Sequence, residues 1–272
     1  MGKKNQSGKG FSSTPKNQIP KKLRPKNPAD YQTKEQQALT LINQGKLDDA
    51  ELVYKELVEA GSGSHIAYGN LGALLKIKGD LQNAILCFRN ALQLKPNYTE
   101  VYNNLGVALK EKGDLDAAID SYNAALQLKP NYPDAHNNLG NALQEQGDLN
   151  AAIDSYNAAL QLKPNYPDAQ KNLSMTQLLL GDYERGWERY EYRFQCKKNP
   201  VTANASPSCN QWNGENLSQG KKLLLVSEQG LGDTLQFMRY ADPLRDKGLA
   251  VSLCAPPKLH SLIQASGIDL SP

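Results

Sequence analysis

The stretch that decides the fold is TEVYNNLGVALKEKGDLDAAIDSYNAALQLKPNY, residues 99–132. The next 34 residues, PDAHNNLGNALQEQGDLNAAIDSYNAALQLKPNY, match it at 26 of 34 positions. Residues 65–98 repeat the same skeleton, and residues 31–64 and 167–200 are weaker copies. A fixed period of this length indicates a repeat architecture. The sequence therefore predicts five tandem units: 31–64, 65–98, 99–132, 133–166 and 167–200.

Each unit has the pattern of two short amphipathic helices. Apolar and small residues recur every three to four positions on both sides of Gly113-Asp114. Gly113 suits a left-handed helix end, Asp114 can cap the next helix, and Pro130 cannot continue it. One such pair cannot bury its apolar face alone, but stacked pairs can. The prediction is an all-α solenoid of helix pairs.

Small and large residues alternate inside the unit. Gly106 and Ala118 are small enough to let the two helices of a pair approach closely. Tyr122 and Leu126 are then expected to fill the space between neighbouring units.

The combined pattern resembles that of the tetratricopeptide repeat (TPR) family. It consists of an aromatic residue, Leu-Gly, Leu, Gly-Asp, Ala, an aromatic residue, Ala and Pro. In the third unit these residues are Tyr102, Leu105-Gly106, Leu109, Gly113-Asp114, Ala118, Tyr122, Ala125 and Pro130. The first unit departs with Gln37-Ala38 in place of Leu-Gly, and the fifth has Ser174 and Gly186 where Gly and Ala are expected. The resemblance implies a superhelix whose concave groove, lined by first helices, binds a partner.

A column of asparagines marks this expected groove. Asn70, Asn104, Asn138 and Asn172 share one position of four successive first helices. Asparagine carries both a donor and an acceptor, so a regular row can pair with the backbone of an extended peptide. The alternative is that this asparagine is solvated and merely common at its repeat position. The predicted site also includes three neighbouring residues, Asn103, Asn137 and Asn141.

Two features extend this prediction. The repeat domain of the O-linked N-acetylglucosamine transferases has a similar asparagine ladder, which the four column residues match by repeat position. Glu100, Asp134 and Asp168 share another first-helix position and predict a mildly acidic rim.

The N-terminal segment differs sharply from the repeats in charge. Residues 1–30 contain eight Lys and Arg against one acid, Asp30, whereas the remainder contains 23 basic and 27 acidic residues. Few apolar residues offset the entropy of ordering, so a basic disordered tail is expected. Nucleic acid is not the expected partner; at most residues 1–26 would contact it nonspecifically, in a salt-dependent manner.

The composition argues against a membrane-spanning, secreted or metal-binding protein. The longest apolar runs are far below the roughly 18 residues of a membrane span, and no secretory signal is evident. The four cysteines are widely spaced and accompanied by three histidines, so no metal site is expected. A cytoplasmic location is the resulting expectation.

After a linker over residues 201–220, residues 221–272 predict a different fold. A strand beginning at Lys222, a glycine-rich turn, a helix over 234–247 kinked at Pro243, and a strand over 249–254 form a parallel α/β unit, a partial Rossmann-like segment. With the preceding residues from Gly181, it resembles bacterial proteins in which TPRs precede a heptosyltransferase-like glycosyltransferase domain. The resemblance implies that Asp233 is a general-base candidate. Only 52 residues remain from Lys221, so the domain is expected to be incomplete.

Two functions therefore stand side by side. The first is a protein-protein interaction scaffold that binds an extended peptide or partner protein in the groove, with no cofactor. The alternative is a fragment of a TPR-containing glycosyltransferase whose repeats present the acceptor. Only under that alternative would Asp233 be catalytic, with a nucleotide-sugar donor and a longer chain completing the site. Enzymatic activity is not expected of the chain as it stands.

Overall fold

Ten α-helices occupy residues 28–190, two for each 34-residue period. The structure is a computed structural model that describes residues 28–196, 212, 215–227, 234 and 238–265. The helices are α1 (Pro28–Asn43), α2 (Leu47–Glu59), α3 (His65–Ile77), α4 (Leu81–Leu94), α5 (Thr99–Lys112), α6 (Leu115–Leu128), α7 (Pro133–Gln146), α8 (Leu149–Leu162), α9 (Pro167–Leu179) and α10 (Tyr183–Tyr190). The predicted helix pairs are confirmed.

The chain divides into two units, one up to Pro164 and one from Asn165 onward. In the first unit, α1 to α8 form four antiparallel hairpins, and each second helix packs on the first helix of the next hairpin. The first unit is thus a stack of helix pairs. Its first helix begins at Pro28, so residues 28–30, which the sequence assigned to the basic tail, are helical. Proline is favoured at a first helical position because its fixed φ suits the helix and its missing N–H is not needed there.

The Gly-Asp pair forms the turn inside each hairpin, as its sequence indicates. Gly113 has φ +90°, and its N–H donates to the Lys110 carbonyl at 2.9 Å. Asp114 then accepts a hydrogen bond from the Ala117 N–H through Oδ1. Glycine adopts this left-handed conformation without the steric cost of a Cβ. One dipeptide therefore ends α5 and caps α6.

The buried aromatic ring packs closely on the first helix of its own hairpin. A Cβ at Gly106 would lie 2.6 Å from Cε1 of Tyr122, so the ring is packed directly on the glycine backbone. Gly140 and Tyr156 repeat this arrangement. Tyr122 also belongs to the apolar cluster that includes Leu139 and Ala142 of the next repeat.

The second unit contains the fifth hairpin, in which a larger residue stands at the glycine position of the repeat and a glycine stands at the alanine position. Ser174 replaces the glycine and donates from Oγ to the Gly186 carbonyl at 2.8 Å. Gly186 replaces the alanine, and a Cβ there would lie 2.6 Å from Leu178. The repeat aromatic, Tyr190, is half-buried and meets Trp187 edge-on at 5.5 Å between ring centroids. The Ser174 side chain occupies the space that an aromatic ring fills in the earlier repeats.

The same unit contains a small parallel α/β segment. Its elements are a 3₁₀ turn (Glu191–Gln195), β1 (Lys222–Val226), a 3₁₀ turn (Met238–Tyr240), α11 (Ala241–Asp246), β2 (Ala250–Cys254), a 3₁₀ turn (Pro257–Leu259) and α12 (His260–Ala265). The strands pair in parallel with Lys222 opposite Ala250. Leu223, Val251 and Leu253 pack with Ile263 in a separate apolar cluster. The predicted parallel strands are confirmed.

The predicted helix over 234–247 is corrected. Thr234 is helical, but residues 238–240 form a 3₁₀ turn and α11 begins only at Ala241. Pro243 lies in the first turn of α11 instead of at a kink, because a first-turn N–H has no partner within the helix and its loss costs little. Among the described helices, none combines the length and apolar character needed to cross a bilayer.

Candidate functional site

The first helices of the first unit form one continuous face. α3 contacts α5, and α5 contacts α7, in addition to the contacts within each hairpin. We call the surface of α3, α5 and α7 the first-helix face. Asn70, Asn104 and Asn138 recur on it at the same repeat position, and all three are half-buried. The structure therefore brings three of the four predicted column residues onto neighbouring helices.

Asn70 joins the first repeat to the second. Its side-chain Nδ2 donates to the Tyr54 hydroxyl on α2 at 2.9 Å. Tyr54 is completely buried, and burial raises its pKa, an effect that the bond from Asn70 partly opposes. A buried hydroxyl needs such a partner. Asn70 therefore contributes to the packing of adjacent repeats.

Asn138 makes a different bond to the preceding repeat. Its Nδ2 donates to Oδ1 of Asn103 on α5 at 3.0 Å. Asn103 is only 8% exposed, and the equivalent Asn137 only 5%. The row of asparagines next to the column is thus buried, and Asn103 links α5 to α7.

Asn141 and Gln144 lie within the fourth repeat. The Tyr156 hydroxyl lies 2.9 Å from both Asn141 Oδ1 and Gln144 Oε1. Because both acceptors are on α7 and Tyr156 is on α8, these bonds connect the two helices of one hairpin. Sequence reasoning missed Gln144; the signal was a polar residue three positions after Asn141, one helical turn away on the same face.

Asn172 lies on α9 in the second unit, where it is half-buried. Its main-chain carbonyl accepts a hydrogen bond from Thr176 Oγ1 at 2.9 Å. Its place in the predicted column stays a prediction from the repeat period.

Tyrosines that end each repeat also belong to the first-helix face. Tyr98 lies against Gly69, since a Cβ there would be 3.5 Å from its Cε1. Lys95 Nζ lies 4.7 Å from the centre of the Tyr98 ring, and Lys129 Nζ lies 4.9 Å from that of Tyr132. These are cation–π distances. The recurring Lys-Pro-Asn-Tyr sequence was the available signal for them.

The predicted acidic rim is close to these tyrosines. Burial raises the pKa of Tyr132, and the carboxylates of Asp134 and Glu100 raise it further. Burial and Glu100 do the same for Tyr98. A negative charge disfavours the phenolate, so Glu100 and Asp134 act electrostatically on these two tyrosines. Both acids are exposed.

Asp233, the catalytic candidate of the alternative function, lies outside the described residues, as do residues 1–27, 197–211 and 228–233. The basic tail up to residue 27 and most of the predicted linker fall in these ranges. Within the described ranges, His, Cys, Asp and Glu do not gather into a group that could hold a metal ion.

Family models match the central repeats. Residues 72–113 and 108–147 match the model described as TPR repeat, and residues 133–166 match the model described as tetratricopeptide repeat. The chain therefore contains tetratricopeptide repeats. These matches lie within residues 72–166, so the glycosyltransferase resemblance of the C-terminal segment stays a prediction. No curated protein sequence matches the chain.

Solved structures of repeat proteins share this fold. MamA from Desulfovibrio magneticus RS-1 is 20% identical with a TM-score of 0.56, over 59% of this chain and 91% of that chain. PilF of Pseudomonas aeruginosa is 20% identical with a TM-score of 0.55, over 61% and 75%. YrrB, described as "a TPR protein with an unusual peptide-binding site", is 22% identical with a TM-score of 0.51, over 60% and 84%. At these identities the likeness concerns the fold.

Proposed function

We propose that this protein is an interaction scaffold that binds an extended segment of a partner protein on its first-helix face. The observation that carries the proposal is the recurrence of half-buried asparagine side chains at one position of α3, α5 and α7. Side-chain amides repeated along a stack of helices suit a peptide main chain, which repeats N–H and C=O groups. The peptide-binding site attributed to YrrB is a precedent in the same fold.

The chemistry of the face supports a peptide more than a small metabolite. Its groups are amides, tyrosine rings and carboxylates distributed over three helices instead of converging on one point. Such a surface resembles the polar, aromatic-containing surfaces that proteins use for recognition. Enzymatic activity plays no part in this proposal, and the binding itself needs no cofactor.

The test uses the full chain and a phage-displayed library of random linear peptides. Peptides that bind the wild type are then measured by fluorescence anisotropy against Asn104→Ala/Asn138→Ala. We expect the double variant to lose about tenfold in affinity, since one amide that pairs with the peptide contributes up to roughly 1.5 kcal/mol. The matched control is Asn123→Ala/Asn157→Ala, which removes two exposed asparagines from the second helices α6 and α8.

Three outcomes would contradict the proposal. The library could yield no binding peptide, or both double variants could bind equally well. Alternatively, binding could survive the groove substitutions and disappear on deletion of residues 1–26. That last result, together with a steep fall in affinity with salt, would assign binding to the basic tail.

A further inference from the structure

The asparagine column and the buried aromatic position form pairs across the repeats. Tyr54, Phe88, Tyr122 and Tyr156 occupy the same position of the four second helices, 34 residues apart. At the first junction the Tyr54 hydroxyl accepts the hydrogen bond of Asn70, the column residue of the next repeat. At this junction, a column asparagine therefore donates to the aromatic hydroxyl of the preceding repeat.

At the second junction that partner is missing. The aromatic residue is Phe88, which is completely buried and has no hydroxyl to offer Asn104. Within the described residues, no hydrogen bond satisfies the Asn104 side chain, although the residue is half-buried. Its amide thus retains both a donor and an acceptor for a ligand.

At the third junction the partners are exchanged. Asn138 donates to Asn103 instead of to the tyrosine of the preceding repeat. The Tyr122 hydroxyl, in a residue with 0% exposure, consequently has no partner within the described residues. The Tyr156 hydroxyl lies within hydrogen-bond distance of Asn141 and Gln144. In the third repeat, Val107 and Lys110 occupy those two positions.

The unsatisfied amide and the unsatisfied hydroxyl therefore both belong to repeat 99–132. The Tyr122 hydroxyl is buried, so its lack of a partner costs stability without offering a contact to a ligand. The half-buried Asn104 amide, in contrast, can reach a ligand. By contrast, other residues of the scaffold already form hydrogen bonds with the side chains of Asn70, Asn138 and Asn141. The four repeats of the first unit are thus not equivalent as binding surfaces.

We propose that repeat 99–132 is the recognition subsite of the first-helix face, and that Asn104 binds the main-chain N–H and C=O of one residue of an extended peptide. Asn70, Asn138 and Asn141 mainly hold helices of the scaffold together. This proposal rests on the proposed function and deepens it in two ways. It assigns the peptide contact to Asn104, and it explains why Asn104 has no hydrogen-bond partner in the scaffold by the missing hydroxyl of Phe88.

The sharpest test is Phe88→Tyr, which changes no residue of the predicted binding column. The new hydroxyl would occupy the place that the Tyr54 hydroxyl has at the first junction, and it would accept the hydrogen bond of Asn104. We expect the peptides selected from the random library to bind this variant about five- to tenfold more weakly, close to the loss in Asn104→Ala. The matched control is Tyr122→Phe, which removes a hydroxyl at the same repeat position and leaves Asn104 unaltered.

A second readout follows the Asn104 amide directly. In ¹H–¹⁵N spectra of the full chain, the Asn104 side-chain NH₂ signals should shift on addition of a selected peptide, and in Phe88→Tyr without peptide. Asn70→Ala should lower the melting temperature more than Asn104→Ala does, because it removes the partner of a buried hydroxyl.

The outcomes separate this inference from the proposed function. If no library peptide binds the wild type, both are overturned. If peptides bind but Asn104→Ala has wild-type affinity within about twofold, the scaffold function survives and the assignment to Asn104 is wrong. Greater loss of affinity in Asn70→Ala than in Asn104→Ala would also overturn it.

Discussion

Two tyrosines at the same position of nearly identical repeats differ in what their hydroxyl groups contact. Tyr156 lies within hydrogen-bond distance of Asn141 and Gln144, whereas Tyr122 has no partner in the part of the chain that the structure describes. Both rings are completely buried. The difference arises from their neighbours on the first helix, where Val107 stands in place of Asn141.

This pair gives a prediction with an internal control. Tyr156→Phe should lower the free energy of unfolding by about 1 kcal/mol, because it removes the hydrogen bonding between a completely buried residue and the half-buried Asn141 and Gln144. Tyr122→Phe should be neutral or stabilising, since it removes a buried hydroxyl that has no partner. Urea unfolding followed by circular dichroism measures both. Equal destabilisation by the two substitutions would show that a bond to Tyr122 exists in solution.

At the scale of the helix, the closest packing in the repeats is between a glycine and a ring. Gly106 on α5 and Gly140 on α7 each lie under the tyrosine of the following helix, with no space for a Cβ. The interhelical distance within a hairpin is thus set by the glycine. The Ser174 and Gly186 exchange in the fifth hairpin shows the consequence when this glycine is absent, since Tyr190 is only half-buried there.

We expect Gly106→Ala to lower the free energy of unfolding by about 1–3 kcal/mol, the usual cost of overpacking. In Gly106→Ala/Tyr122→Ala the clash no longer exists, so the loss should be smaller than the sum of the two single losses. Thermal unfolding of the four proteins completes the cycle. Strict additivity would mean that the methyl group and the ring do not compete for space.

A charged cluster joins α2 to the next hairpin. Lys78 contacts both Asp48 and Glu51, and Lys55 Nζ lies 2.6 Å from Glu51 Oε1. The bonds from Lys55 and Lys78 hold the pKa of Glu51 below its usual value of 4.5. Its charge therefore stabilises the fold above that pH, and this contribution disappears as the pH falls through the lowered pKa.

Glu51→Gln should therefore destabilise the protein at neutral pH by a few tenths to about 1 kcal/mol. The difference from wild type should shrink as the pH falls below 4.5 and vanish once the pH is below the lowered pKa of Glu51 in the folded state. Glu56→Gln is the matched control, because its 2.6 Å pair with Lys34 is exposed and should contribute less. A Glu51→Gln effect that persists unchanged in acid would point to packing instead of charge.

At the scale of the whole molecule, the repeat cores contain several weakly acidic side chains whose pKa is raised by burial. Burial raises the pKa of Tyr54, Tyr68 and Tyr122. It also raises the pKa of the Cys87 thiol from 9.0 to about 11. The folded state thus holds these protons more tightly than the unfolded chain, so stability is complete at neutral pH and falls as the pH rises.

We expect the melting temperature to decrease steadily above about pH 9, with the cysteine contributing between pH 9.0 and about 11 and the tyrosines from about pH 10 upward. The part of the tyrosinate absorbance that comes from the buried hydroxyls should appear only together with unfolding, because these hydroxyls ionise when they are exposed. Measurements of absorbance and circular dichroism on one sample test this coupling. Full tyrosine ionisation with retained helicity would contradict it.

Most backbone elements of this protein could be predicted from the amino-acid sequence. The period of 34, the two helices per repeat, the Gly113-Asp114 turn and the parallel strands near the C-terminus all depend on interactions between residues close in the chain or on a simple crossover rule. Such patterns can be recognised within one repeat, and their recurrence in the other repeats strengthens the prediction. The kink predicted at Pro243 failed because the same proline also fits a helix start, and composition does not distinguish the two positions.

The asparagines that bond to other parts of the scaffold could not be identified from the sequence, because these bonds depend on packing. Asn104 and Asn138 have the same local sequence, Asn-Asn-Leu-Gly, yet Asn138 is bonded to Asn103 and Asn104 has no hydrogen-bond partner among the described residues. Phe88, 16 positions earlier in the chain, has no hydroxyl that could accept a hydrogen bond from Asn104, whereas Tyr54 has one for Asn70. Helix formation is governed by neighbours along the chain, whereas hydrogen-bond satisfaction of a buried side chain depends on residues that packing brings beside it.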